Sequence, residues 1–164
     1  MVVLPGIDDN GFAGIEPLFD HANATLEEMV AEGEITSEER SRMALGAHPR
    51  RSRDLLEPFE VDGTFHGLNV EDFVMSEVAD GAWVQFDRDR DEDALAAKRA
   101  LFFRSVFVPS LAGALGSGRD DGDAERREDF ANELQRRLKQ RLLSHRAPIP
   151  GFVQTIVLAK AEQS

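Results

Sequence analysis

Cysteine is absent from this 164-residue chain. That excludes disulfides, thiolate nucleophiles and Cys-based zinc sites. Lysine is scarce: of 19 basic residues only Lys98, Lys139 and Lys160 are not arginine. Such a bias reflects the source genome or a salty habitat and says little about chemistry. Long apolar runs are missing, and none approaches the ~20 residues that span a bilayer. No basic-then-apolar leader opens the chain. A membrane partner is therefore not expected, and the location expected is cytoplasmic. Positive charge is also short, with a net charge of −12. A duplex-binding domain ordinarily presents a basic face, so nucleic acid is not an expected partner.

What is present is ordinary globular composition, 41% hydrophobic and 30% charged, which implies a packed core of single-domain size. Met1 to Leu4 is a short apolar run stopped by Pro5-Gly6, and it reads as a buried strand. Such a strand needs neighbours, so further sequence is expected upstream. Leu18, Phe19, Ala22, Leu26, Met29 and Val30 recur at helical spacing within Ile15 to Glu32, and Gly33 stops that helix. Thr36 and Glu39 have capping-box spacing and start a short helix to about Leu45. Another short helix is expected from Ser52 to Phe59.

A strand is expected over Val70 to Val78, a charge-dense loop over Asp87 to Asp93, and a buried helix over Ala94 to Val108. Gly113 to Gly122 reads as a flexible break. Glu125 to Leu143 is the clearest helix, with Phe130, Leu134, Leu138 and Leu142 on one face. Phe152 to Lys160 is a β-branched closing strand. The order implies a single partial α/β domain. It divides into a core strand over 1–6, a helical cap over 12–60, a strand region over 65–80, helices over 92–145 and a last strand over 152–160.

Motifs with chemistry of their own are few. There is no G-x-G-x-x-G after a strand and no P-loop. Asp87, Asp89 and Asp91 begin like a calcium loop, but Glu92 stands where the turn needs Gly and Lys98 where the bidentate Glu belongs. A solvated acidic loop is the plain reading. His21, His48, His66 and His145 have no metal-ligand spacing. The pairs Arg126-Arg127 and Arg136-Arg137 read as exposed partners for nearby acids.

An ordered series of segments says more. Leu26-Glu27-Glu28-Met29-Val30-Ala31-Glu32-Gly33-Glu34-Ile35 resembles the "AL-x-x-MV-x-EG-x-I" stretch of the SABATH methyltransferases. Asp62-Gly63-Thr64-Phe65 is similar to that family's "EGSF". Phe103-Arg104-Ser105-Val106 with Pro109 and Leu111 resembles "MRAVAEPLL", and Phe152 to Lys160 resembles the last strand "FINVIVSL". These stretches run in order across nearly the whole chain. The resemblance implies the C-terminal part of a Rossmann-like methyltransferase sheet with an inserted helical cap. The implied cofactor is S-adenosylmethionine, whose site would lie in an N-terminal half outside these residues. The implied reaction is in-line methyl transfer to a small organic acceptor, a carboxylate being one candidate, in which holding the reactants aligned does most of the work.

Carried over position by position, the resemblance implies an acceptor pocket of Leu18, Phe19, His48, Phe103, Val106 and Phe152, with His48 as the candidate catalytic base. Read without it, the apolar five are packing residues and His48 is a loop histidine. Phe19 stands where the family has Trp and lacks the indole N–H that would meet a carboxylate. The family's magnesium-associated "DSFN" falls on Ser41-Arg42-Met43-Ala44, so no metal is expected. The partners expected are the small acceptor and either the N-terminal half or a second copy. The alternative function is a non-catalytic remnant or a module that binds a small ligand or a protein.

Overall fold

The computed structural model describes residues 1–8, 10–45, 49–116 and 121–160. In chain order these form β1 (Val2–Pro5), α1 (Glu16–Ala31), α2 (Ser37–Arg42) and α3 (Ser52–Leu56), with a 3₁₀ turn behind α3 (Glu57–Phe59). There follow β2 (Leu68–Val78), α4 (Gly81–Asp89), α5 (Glu92–Val106), α6 (Val108–Ala112), α7 (Asp121–Leu142) and β3 (Gly151–Lys160). The class is mixed α/β. The chain sorts into two compact units.

The first unit comprises Met1–Glu16, Ala47–Asp80 and Ile149–Ser164. Its sheet has the order β1-β3-β2. Both pairings are antiparallel, so β1 and β2 run in the same direction. Ile156 sits between Val2 and Phe73, and Gln154 between Leu4 and Met75. Side chains alternate along a strand, so these residues share one face. Gln154 and Ile156 are buried on it, and the Gln154 amide donates to the Arg50 carbonyl at 2.9 Å. The opposite face carries Val3, which is 54% exposed, and Val74, which is 46% exposed. This corrects the buried reading of the opening strand. β1 pairs with β3 alone among the described residues, and an edge strand covered on one side keeps its apolar side chains in water.

The second unit comprises Pro17–Gly46 and Gly81–Pro148 and is helical. Leu18, Ala22, Leu26 and Met29 form the buried stripe of α1. Phe130, Leu134, Leu138 and Leu142 form that of α7. Each repeats at three- or four-residue spacing, which keeps the stripe on one face. Burying one such leucine stabilises the fold by about 1.5–3 kcal/mol. Thr36 and Glu39 cap α2 reciprocally, as their spacing implies. α5 packs on α7 and buries Leu95, Ala96, Ala100 and Phe103. It is not buried all round: Leu101, Phe102 and Val106 face water on its other side.

The charge-dense loop expected over Asp87 to Asp93 is a second correction. Residues 81–89 are helical and form α4, whose apolar contribution is the buried Phe86. Asp87 pairs with Arg90 at 2.8 Å, and Gln85 donates to Asp89 at 2.8 Å. These contacts are helix-spaced and hold the end of α4. Arg90 then turns the chain with φ +56, and Asp91 caps α5 by accepting from the Ala94 amide at 2.9 Å. A run of aspartates thus marks one helix end and the next helix start, because short acidic side chains bond to local backbone.

Candidate functional site

Within the helical unit, α1, α2, α5 and α6 surround a cavity of about 220 Å³. α1 contributes Phe19, Ala22, Asn23 and Leu26. These positions recur at helical spacing, so a single face of α1 supplies them all. Arg40 enters from α2, Met43 and Leu45 from the segment after it, Phe103 from α5 and Leu111 from α6. The floor is apolar: Ala22, Leu26, Met43, Phe103 and Leu111 are buried. Beside it, the rings of Phe19 and Phe107 meet edge-on at 5.0 Å, and Phe103 lies 5.1 Å from Phe107. Phe19 and Phe103 are 6.2 Å apart at 75°. Edge-to-face packing of this kind fixes ring orientation and adds to simple burial.

The polar side of the cavity is narrow. Arg40 Nε donates to Glu27 Oε1 at 3.1 Å, and Nη2 donates to Asn23 Oδ1 at 3.3 Å. The Arg40 side chain is 23% exposed and that of Glu27 is 64% exposed. The guanidinium therefore stands at the mouth, anchored from the water side. The capping box of Thr36 and Glu39 sets the start of α2, and Arg40 follows Glu39 directly.

Of the six residues that the sequence points to, the structure brings Phe19 and Phe103 together on this cavity. Leu18 is on α1 and buried in the helical core. Val106 is on α5 and half-exposed. Phe152 is on β3, in the sheet unit. His48 lies outside the described residues. Arg40, Asn23 and Leu45 line the cavity without having been singled out in the sequence. The signal for Asn23 was available, since it lies four residues beyond Phe19 on the same helix.

Two other features compare poorly as sites. A groove of about 600 Å³ runs beside α7 over Met29, Ile35, Leu115 and Phe130. Its rim arginines are already matched: Arg126 binds Glu39 at 2.6 Å, and Arg136 binds Glu133 at 2.7 Å. Neither of these two arginines is left without a carboxylate partner. Arg137 is matched as well, to Glu32 at 2.7 Å, and it is largely buried rather than on the exposed side of α7. His21 Nε2 and His145 Nδ1 stand 3.4 Å apart. Burial, together with the nearby Arg141, holds the His21 pKa below its ordinary value.

Among the described residues no group of three or more His, Asp and Glu is placed to hold a metal ion. The Asp87 and Asp89 carboxylates are engaged at the end of α4 as described above. Among the described residues no helix is long and apolar enough to cross a membrane. No protein-family model and no curated protein matches this chain.

Proposed function

We propose that the chain is the substrate-capping, C-terminal portion of a SABATH-like, S-adenosylmethionine-dependent methyltransferase that acts on a small organic acceptor. On this reading the sheet is the tail of a Rossmann-like methyltransferase sheet and the helical unit is its cap. One observation carries the reading. Phe19 and Phe103, two positions that the resemblance assigns to the acceptor pocket, line one cavity of the helical unit. The chain order supports it. β1 and β2 run in the same direction and are joined through helices, which is the crossover type of α/β sheets.

The residues of this cavity do not fit the methyl donor. Among the described residues no carboxylate lines it to meet ribose hydroxyls, and the one charged lining residue, Arg40, is a cation like the sulfonium. At about 220 Å³ it is also too small for donor and acceptor together. No step is therefore derived through the donor. The chain's own residues bind and orient the acceptor: the phenylalanine cluster excludes water and Arg40 stands at the polar end.

Thermal unfolding with and without saturating S-adenosylmethionine tests the assignment. A ligand at ~100 times its dissociation constant stabilises by ~2.7 kcal/mol. The expected result for the chain alone is no shift. A raised midpoint would mean a donor site on this chain and would overturn the division of labour. The chain isolated from its own cells, with whatever binds it, should then transfer labelled methyl groups to small acceptors. No transfer would favour the second reading, a small-ligand-binding module, which the poor fit of this cavity to the donor also supports.

A further inference from the structure

Met75 on β2 stands directly opposite Gln154 on β3, and two donors are aimed at its thioether. Ser52 Oγ, at the start of α3, donates to Met75 Sδ at 3.5 Å. Gln154 Nε2 donates to the same sulfur at 3.9 Å. All three residues belong to the sheet unit. Chemistry fixes the orientation of the amide: Nε2 also donates to the Arg50 carbonyl at 2.9 Å, a contact that the amide oxygen cannot make. Packing holds it there. Gln154 has no exposed area, and a Cβ at Gly6 would come 2.8 Å from Gln154 Cγ.

A thioether sulfur is a weak acceptor. Two donors spent on it, one from a fully buried amide, recover less than they would from oxygen, and an under-satisfied buried donor costs stability. A sulfoxide oxygen on that sulfur is a far stronger acceptor, and the rotatable methionine side chain can adjust to bring it to the donors. Met75 is half-buried, so a small oxidant reaches it more readily than Met29 and Met43, which are 1% and 7% exposed. We propose that Met75 is a reversible oxidation site, with Ser52 and Gln154 as the donors that receive the sulfoxide. The oxidant is a hydroperoxide. A sulfur lone pair attacks the outer peroxide oxygen, and the S–O bond forms as the O–O bond breaks. Sulfur gives up two electrons to the peroxide. The proton on the transferred oxygen passes to the departing hydroxide or alkoxide, which leaves as water or alcohol. Sulfoxide reductases reverse the change. Oxidation of a packed methionine ordinarily disrupts its surroundings; here the waiting donors make it tighten the tie between α3 and the sheet. The inference does not rest on the methyltransferase reading.

The test is limited oxidation of the full chain with hydrogen peroxide, followed by peptide mapping, thermal unfolding and NMR. Met75 should take up oxygen at least ~10-fold faster than Met29 or Met43, which react only when the core opens. Met1 is 84% exposed and oxidises as well, so M75L treated in the same way supplies the baseline. Against that baseline the oxidised parent should melt at an unchanged or higher midpoint. In S52A the sulfoxide has lost one donor, and oxidation should lower the midpoint by ~2–4 °C, the shift that one lost buried contact produces in a chain of this size. One of the two Gln154 side-chain amide protons should move downfield and exchange more slowly with water on oxidation, a readout that needs no variant. Treatment with a methionine sulfoxide reductase should restore the original spectrum. Met75 reacting no faster than Met29 and Met43, a lowered midpoint in the oxidised parent, an oxidised S52A that melts like the oxidised parent, an unmoved Gln154 amide, or a sulfoxide that resists the reductase would each overturn the inference.

Discussion

Arg126 on α7 grips Glu39 on α2 through two parallel hydrogen bonds of 2.6 and 2.9 Å. The Glu39 carboxylate is 8% exposed and also accepts from the Thr36 amide at 2.9 Å and its hydroxyl at 3.1 Å. Arg126 first, then the Thr36 donors, hold its pKa down at about 2. The folded value lies below the ordinary one, so the unfolded chain takes up this proton first as pH falls. The stabilisation is complete above about pH 4.5 and is lost between there and about pH 2. E39Q should cost about 1–3 kcal/mol at neutral pH, and urea titrations should show the gap to the parent closing as the pH approaches 3. A gap that is constant with pH would show that the ionised pair contributes nothing.

Two glycines with similar backbones should respond differently to alanine. Gly14 has φ +85 and Gly33 has φ +79. At Gly33 an added Cβ meets nothing within 4 Å, whereas at Gly14 it would sit 2.2 Å from the Pro150 carbonyl oxygen. G33A should therefore cost only the left-handed backbone penalty, about 1–2 kcal/mol. G14A should cost that and at least ~1 kcal/mol more, because the carbonyl of Pro150 must move. Equal losses in chemical denaturation would mean that the segment at Pro150 yields freely.

Much of the fold was legible because period and caps agree. The helices α1 and α7 announce themselves by one apolar stripe each, and Thr36 with Glu39 marks the start of α2. β3 was legible from its β-branched run. α4 was not, since its apolar anchors Trp83 and Phe86 are followed by Asp87 and Asp89, whose local role depends on backbone geometry. The environment of β1 was not legible either: a run such as Val2-Val3-Leu4 has the same pattern whether a neighbour covers it or water does. For the cavity, Phe19 and Phe103 came from resemblance, and nothing local distinguishes them from packing residues. Arg40 was hidden because a surface arginine just after a capping box is commonplace. Its place at the cavity mouth is set by the packing of α1 and α2, not by spacing.

The depth of the helical core can be tested with leucines. Leu134 and Leu138 have no exposed area, while Leu101 on α5 is 52% exposed. L134A or L138A should cost about 2–5 kcal/mol, the range for emptying a packed site. L101A should stay within about 0.5 kcal/mol of the parent. A large loss from L101A would mean that the outer face of α5 is covered in solution, and the melting midpoint at two protein concentrations would show whether a second copy covers it.

The histidine pair sets a further pH dependence, of the opposite origin to that of Glu39. Burial first, then the charge of Arg141 and that of Arg99, disfavour protonation of His21, while Asp20 partly offsets them. Across the 3.4 Å contact with His145 one ring must accept, so the two rings cannot both be protonated and keep it. The folded pKa therefore lies below the ordinary value of about 6.5. Below that value the unfolded chain binds the proton more readily, so stability falls with pH until His21 itself titrates in the folded state, and then levels off. Histidine ring signals followed by NMR should place the His21 midpoint below about 6.5, and H21Q should flatten the fall in stability between about pH 7 and 5. A midpoint at or above the ordinary value would mean that Asp20 outweighs burial and the two arginines, and the pair would then be stabilised, not weakened, by acid.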